Sequence, residues 1–131
     1  MICCKRVYEP AEDTDGYRVL VDRLWPRGVS KAGLQHHAWL REVAPSTALR
    51  RAFGHRVGAF EAFSQGYRRE LAAHPEHWQG LLARAGAGSV TLLYAARDQE
   101  RNNARVLQDF LEDELDRQGA SSSPVCYAGE L

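Results

Sequence analysis

No stretch of this chain approaches the roughly 18 consecutive apolar residues that a membrane span requires. Its opening residues, MICCKRVYEP, lack the basic-then-apolar order of a secretory signal. Cysteine is scarce too. There are three, an odd number, and Cys3 and Cys4 are adjacent, which is poor geometry for a disulfide framework. These absences point to a cytoplasmic chain without a membrane partner, whose cysteines act as buried small hydrophobes.

An excess of charge of one sign is also missing. Seventeen Lys and Arg balance 17 Asp and Glu, a net charge of zero, which argues against a surface built throughout to grip nucleic acid. Lysine itself is nearly absent: 15 of the 17 basic residues are arginine, the side chain suited to bidentate anion recognition. An arginine-rich genome is the simpler source of that overall bias. The local distribution is a separate matter, because Arg18, Arg23, Arg27 and Lys31 surround a single acid, Asp22.

Several chemical signatures are lacking. The glycines of Gly86 to Gly88 do not make the full dinucleotide fingerprint, and neither a P-loop nor a Gly-x-Ser-x-Gly elbow occurs. His74 and His77 have the spacing of a helical pair, but Pro75 lies between them and no third ligand is indicated. No metal and no cofactor are therefore expected. Cys3 and Cys4 have no histidine near them in sequence, so a thiol nucleophile is not indicated either.

What is present is the pattern of one soluble domain. At 131 residues the chain can bury a single core. Ile2 to Tyr8, Tyr17 to Asp22 and Val90 to Ala95 read as strands, and their continuous apolar runs suit parallel pairing. Lys31 to Glu42 reads as a helix stopped by Pro45. Ser46 is a candidate N-cap for the next helix. Val57, Phe60, Phe63, Tyr67 and Leu71 form one helical stripe. Trp78, Leu81 and Leu82 mark a short helix, and a last one spans about residues 99–117 with Asp98 as its N-cap. The expected fold is a compact single-domain α/β layer structure over residues 1–117, a small mainly parallel sheet with helices packed on it. The composition changes at residues 118–131, which are expected to be a partly disordered tail or a short edge segment.

In open α/β sheets ligands bind beyond the carboxyl ends of the strands. Two strands here end alike, in Asp22-Arg23 and in Arg97-Asp98. Arg23, Arg27, Lys31 and Arg97 make that region electropositive, and the helix opening near Asp98 adds free N–H groups. In Trp25-Pro26-Arg27-Gly28, proline restricts Trp25 and glycine permits a tight turn, so the loop presents Arg27 in a preset direction. Trp25 is then a wall of the pocket or a plug of the core. The alternative for Asp22 and Asp98 is that they cap loops or pair with neighbouring arginines.

The runs KRVYEP, DGYRVLVDRLWPRGVSK, WLREVAPSTALRRAFGH and VTLLYAARDQERNNA, with Tyr67 and Glu70-Leu71 between them, resemble the YeaO-like branch of the bacterial family called domain of unknown function 488. The resemblance covers about residues 5–115 and implies a small cytoplasmic protein, with no reaction attached. It carries over Asp22, Arg23, Arg27, Lys31, Ser46, His55, Glu70, Tyr94, Asp98 and Asn102 as pattern positions. The wider family often has Cys where this chain has Tyr94, and Cys-His-Arg at Asn102, Asn103 and Ala104. The resemblance therefore implies the loss of a thiol and an imidazole. This chain departs further at Ala52, where the branch usually has Trp, and at His37, where Asp is common.

Three classes of function remain. The first is a site for a small anion (phosphate, nucleotide or carboxylate), with Asp22 as general base, Tyr94 as acid or hydrogen-bond donor, and Asp98 and Asn102 orienting the ligand. Arg23, Arg27, Lys31 and Arg97 would clamp its charge, with Trp25 beside it. The second is a nucleic-acid module using Arg23, Arg27, Arg50, Arg51 and Arg56 with Trp25 and Phe53, disfavoured by the zero net charge. The third is a protein-interaction or sensor surface on the helix from Val57 to Leu71.

Overall fold

Valine, isoleucine and leucine fill three short segments that cannot satisfy their backbone groups alone. In the computed structural model, which describes residues 1–54 and 56–118, they pair side by side. Strands β1 (Ile2–Arg6), β2 (Tyr17–Leu20), β3 (Ala38–Trp39) and β4 (Val90–Tyr94) form a four-stranded parallel sheet in the order β1-β4-β2-β3. Central β4 is buried along its whole length, as its unbroken VTLLY run requires. Its register sets Arg6 opposite Tyr94 and Leu20 opposite Leu93, so β1, β2 and β4 end at one level.

The two faces of the sheet are covered differently. Ile2, Val19, Val21, Val90, Leu92 and Tyr94 face the main core. Onto it pack α1 (Thr47–Phe53), α2 (Phe60–Ala73), α3 (Gln79–Ala87) and α4 (Asn103–Arg117). Of the expected stripe, Phe63, Tyr67 and Leu71 are buried on α2 and Phe60 packs against the core, while Val57 falls in a 3-10 turn before the helix. On α4, Ala104, Leu107, Phe110 and Leu111 are buried at the same helical spacing. Among the described residues, no helix is long and apolar enough to cross a membrane.

The other face carries no α-helix among the described residues. Val7, Leu20, Leu34 and Leu93 form a second cluster there, closed by Trp39 of β3 and by Trp25, Val29 and Ala95 from the loops. Beside it the aliphatic cover gives way to buried ions. Asp15 pairs with Lys5 at 3.0 Å and with Arg18, and its carbonyl accepts from Thr91 Oγ1 at 2.8 Å. Burial opposes the Asp15 charge, but hydrogen bonds from the Glu12 backbone, Lys5 and Arg18 outweigh it and hold the carboxyl below its usual range. Gly16 follows with φ +64°, and a Cβ there would lie 2.3 Å from the Ser89 carbonyl oxygen. Only glycine fits that approach.

Three expectations are corrected. Residues 31–42 form no helix: a turn at residues 30–34 leads into β3 and then a 3-10 turn at Arg41–Val43. Tertiary contacts override the helical pattern, because Leu34 and Trp39 pack into the second cluster while Leu40 N–H bonds the Leu20 carbonyl. The last helix starts at Asn103, and its N-cap is Asn102 rather than Asp98. The pairing of Cys3 and Cys4 as buried thiols holds for Cys4 alone: Cys4 is free and packs against the main core, whereas Cys3 is disulfide-bonded. The tail expectation falls on residues 119–131, outside the described residues.

Candidate functional site

Beyond the carboxyl ends of β2 and β4 lies a cleft of about 850 Å³. Its walls come from residues 22–27 after β2, residues 95–98 and 101–103 after β4, and Pro45 with α1, together with Phe63 of α2. This is the crevice position expected of an α/β sheet.

Asp22 joins two of these stretches. Its Oδ2 accepts from Ala95 N–H at 2.9 Å, and its Oδ1 accepts from Asn103 Nδ2 at 3.1 Å. Asn103 Nδ2 also reaches the Val21 carbonyl at 3.1 Å, tying the first turn of α4 to the end of β2. Trp39 Nε1 donates to the Asp22 carbonyl at 2.8 Å. Burial raises the Asp22 carboxyl above its usual range, and the Ala95 and Asn103 donors with the Arg50 charge only partly offset that. Both carboxylate oxygens are thus occupied by protein donors.

Arg6 grips the same segment from the opposite side. Its Nε donates to the Ala96 carbonyl at 2.9 Å and its Nη2 to the Ala95 carbonyl at 3.2 Å. The turn after β4 is therefore held by β1 through its carbonyls and by Asp22 through an N–H. Arg23 is spent on architecture in the same way: Nε and Nη2 donate to the Pro45 and Ala44 carbonyls, each at 3.2 Å. It fastens the loop after β2 to the segment that leads into α1.

Six arginines and two aspartates line the cleft. Arg23 is engaged as described, and Arg101 lies 3.8 Å from Asp98. Arg27, Arg50, Arg51 and Arg97 have exposed side chains that donate to no hydrogen bond among the described residues. Arg50 and Arg51 sit in the last turn of α1, where the helix dipole favours cations. That short helix is held by Ser46, whose Oγ accepts from Leu49 N–H at 3.1 Å and donates to Glu70 Oε2 at 2.6 Å.

The structure brings together Asp22, Arg23, Trp25, Arg27, Arg97, Asp98 and Asn102 of the residues expected at the site. Trp25 is both wall and plug. It lines the cleft, but its ring meets Trp39 edge-on at 5.3 Å and its Nε1 donates to the Val29 carbonyl at 2.6 Å. Asp98 is a rim residue whose Oδ1 accepts from Glu100 and Arg101 N–H, each at 3.0 Å. These bonds hold its carboxyl below the usual range. Asn102 is buried, its Oδ1 capping α4 through Arg105 N–H and its Nδ2 donating to the Asp98 carbonyl. Both polar ends of Asn102 are used internally, so it shapes the wall rather than orienting a ligand.

Tyr94 and Lys31 are corrections. Tyr94 does not line the cleft: alternation along β4 turns it into the main core, 2% exposed, and burial raises its hydroxyl pKa. Lys31 stands exposed on the turn of residues 30–34, also outside the cleft. Ser46 and Glu70 are structural partners, and His55 lies outside the described residues. The departures at His37 and Ala52 leave the cleft untouched. His37 Nδ1 accepts from Arg18 N–H and its ring stacks on Tyr17 at 5.2 Å, while Ala52 is exposed on α1.

Arg6 and Asn103 are positions at the cleft that sequence reasoning did not single out, whereas Arg50 and Arg51 entered it only as part of a nucleic-acid surface. Arg6 was findable, because it ends a strand in charge just as Asp22 does. Elsewhere, the 3-10 turn Pro75–His77 sets Glu76 Oε2 3.0 Å from His74 Nδ1 and 3.7 Å from His77 Nε2. Glu76 is a third possible metal ligand that the spacing did not indicate. These groups, His74 and Glu76 exposed and His77 half-buried, pair with one another away from the cleft.

A family model described as "Inactive DUF488-N3 subclade" matches residues 1–128. YeaO of Escherichia coli K12 is 48% identical over 110 residues, spanning 84% of this chain and 96% of that protein. Rv3073c of Mycobacterium tuberculosis is 38% identical over 110 residues, spanning 81% of this chain and 89% of its own length. Both are named as uncharacterized proteins. No solved structure matches the chain.

Proposed function

This chain belongs to the DUF488 family, in its YeaO-like branch, and we propose that it binds a small anionic molecule in the cleft without turning it over. The observation that carries this reading is the set of four guanidinium groups, Arg27, Arg50, Arg51 and Arg97, left without hydrogen-bond acceptors among the described residues at one crevice. A neutral protein that gathers at one concave site arginines without acceptors among the described residues has an electrostatic use for them.

Binding without turnover fits the chemistry of the same residues. Asp22 has both oxygens committed to Ala95 and Asn103, which leaves it poorly placed to take a substrate proton. Tyr94 is in the core, and among the described residues no serine or cysteine lines the cleft. The subclade's description as inactive agrees. The charged strand end is in this reading a frame that aims arginines and backbone at an anion.

The test is a thermal-shift titration with phosphate, pyrophosphate, citrate and short single-stranded DNA, at low and high salt, on the wild type, Arg27→Ala and Arg50→Ala. A ligand at a hundred times its dissociation constant adds about 2.7 kcal/mol, which raises the melting point by about 8–10 °C in a domain of this size. A shift by a small anion that survives salt and is lost in both variants is the expected result. Shifts from DNA alone, erased by salt, would replace this reading with nucleic-acid binding. The absence of any shift would leave the arginines as surface charge.

A further inference from the structure

We infer that the anion this cleft takes is a nucleoside polyphosphate, its phosphates held at the turn after β4 and its base against the apolar wall after β2. This rests on the anion-binding reading above and goes beyond it in naming the ligand's chemistry.

The first observation concerns the backbone. Arg6 holds the carbonyls of Ala95 and Ala96 together on the β1 side. Every peptide bond described is trans, so in each unit the next N–H points opposite to the carbonyl. The N–H groups of Ala96 and Arg97 therefore point away from the Arg6 guanidinium, in a turn whose residues line the cleft. Neither meets an acceptor among the described residues. Backbone N–H groups left without an acceptor in such a turn are available to an anion. The small side chains of Ala95 and Ala96 leave the turn open.

The second observation is the amount of charge. Arg27, Arg50, Arg51 and Arg97 reach the cleft from three chain segments, and each can take a bidentate oxyanion. One carboxylate or one phosphate could engage only part of that set. The third is the rest of the space. A volume of about 850 Å³ lies in the range of clefts that enclose a whole cofactor-sized molecule, far more than a lone phosphate occupies. Leu24, 65% exposed, lies on its wall beside Trp25 and Pro26. An exposed leucine next to a rigidly held indole suits the flat, apolar face of a base.

Isothermal titration in magnesium-free buffer with ATP, GTP, tripolyphosphate and adenosine separates the parts. At least one nucleotide is expected to bind about tenfold or more tighter than tripolyphosphate, a gain of about 1.4 kcal/mol. Tripolyphosphate should in turn bind tighter than adenosine. Arg27→Ala and Arg6→Met should each weaken nucleotide and tripolyphosphate alike, whereas Leu24→Ser should weaken the nucleotide only. Arg27 and Leu24 are exposed, so those variants keep the test valid if Arg6→Met does not fold. Equal binding of nucleotide and tripolyphosphate would overturn the nucleoside while leaving the anion pocket in place. Adenosine binding as tightly as the nucleotides, or nucleotide binding indifferent to Arg27→Ala, would overturn the inference. No binding by any probe would overturn both.

Discussion

Ser46 offers the clearest test of how the fold delivers charge to the cleft. Its hydroxyl accepts from Leu49 N–H and donates to Glu70 Oε2 at 2.6 Å, while its own N–H donates to Glu70 Oε1 at 2.9 Å. In Ser46→Ala the cap is lost, which costs about 1 kcal/mol. The hydroxyl bond to a carboxylate is lost as well, worth about 1.5–3 kcal/mol when buried and less at this half-buried site. Together these predict a loss of about 2–3 kcal/mol by urea unfolding, with an unchanged m-value. Glu70→Ala removes the acceptor of two bonds and should cost a similar amount. In a double-mutant cycle the pair should couple by about 1 kcal/mol or more, since each change removes the same contact. Because α1 carries Arg50 and Arg51, both variants should also weaken anion binding. A Ser46→Ala cost below about 0.5 kcal/mol, or strictly additive changes, would refute the argument that this clamp secures α1.

The glycines make a contrasting pair. Gly16→Ala forces a Cβ to 2.3 Å from the Ser89 oxygen at φ +64° and should lower stability by more than about 2 kcal/mol, whereas Gly28, at φ +75° in open space, should lose only about 1 kcal/mol on the same change. Calorimetry on both variants checks the order. Two aspartates should respond to pH with opposite signs. Asp15, its pKa lowered on folding, stabilises the fold above its unfolded value of about 3.9, and this is lost as pH falls through the folded pKa. The gap between wild type and Asp15→Asn should therefore narrow in acid. Asp22, its pKa raised on folding, costs stability as pH rises from about 3.9 through its folded value, so the gap to Asp22→Asn should widen in acid. Denaturant midpoints between about pH 3 and 7 decide both. Finally, the Cys4 thiol, pushed up to about 12 by burial, should resist iodoacetamide at pH 8 until the protein unfolds. Native labelling at the rate of a free thiol would contradict that burial.

The helix expected over residues 31–42 shows where local reading ended. Its apolar residues have helical spacing, but Leu34 and Trp39 are claimed by the second face of the sheet, and β3 completes a parallel edge against β2. Nothing within twelve residues records that an exposed sheet edge lies alongside. The shift of the α4 cap from Asp98 to Asn102 has a similar cause. Either residue could cap by type, and the Asp98 carboxylate is instead used by its own turn.

By itself the sequence determined that three buried apolar strands would pair in parallel, that amphipathic stripes such as Phe63, Tyr67 and Leu71 would cover them, and that Asp22 and Arg97 would stand at strand ends. These follow from periodicity and from where charge interrupts an apolar run, both local properties. Only the tertiary structure decided which charges are spent and which are free. Arg6 and Arg23 look no different in sequence from Arg27 and Arg97. Strand order and loop packing set backbone carbonyls within reach of the first two, and leave the other two turned to the cleft without an acceptor among the described residues. Tyr94 was lost to the site for the same kind of reason. Alternation assigns it a face, but only the helices packed on that face make it core.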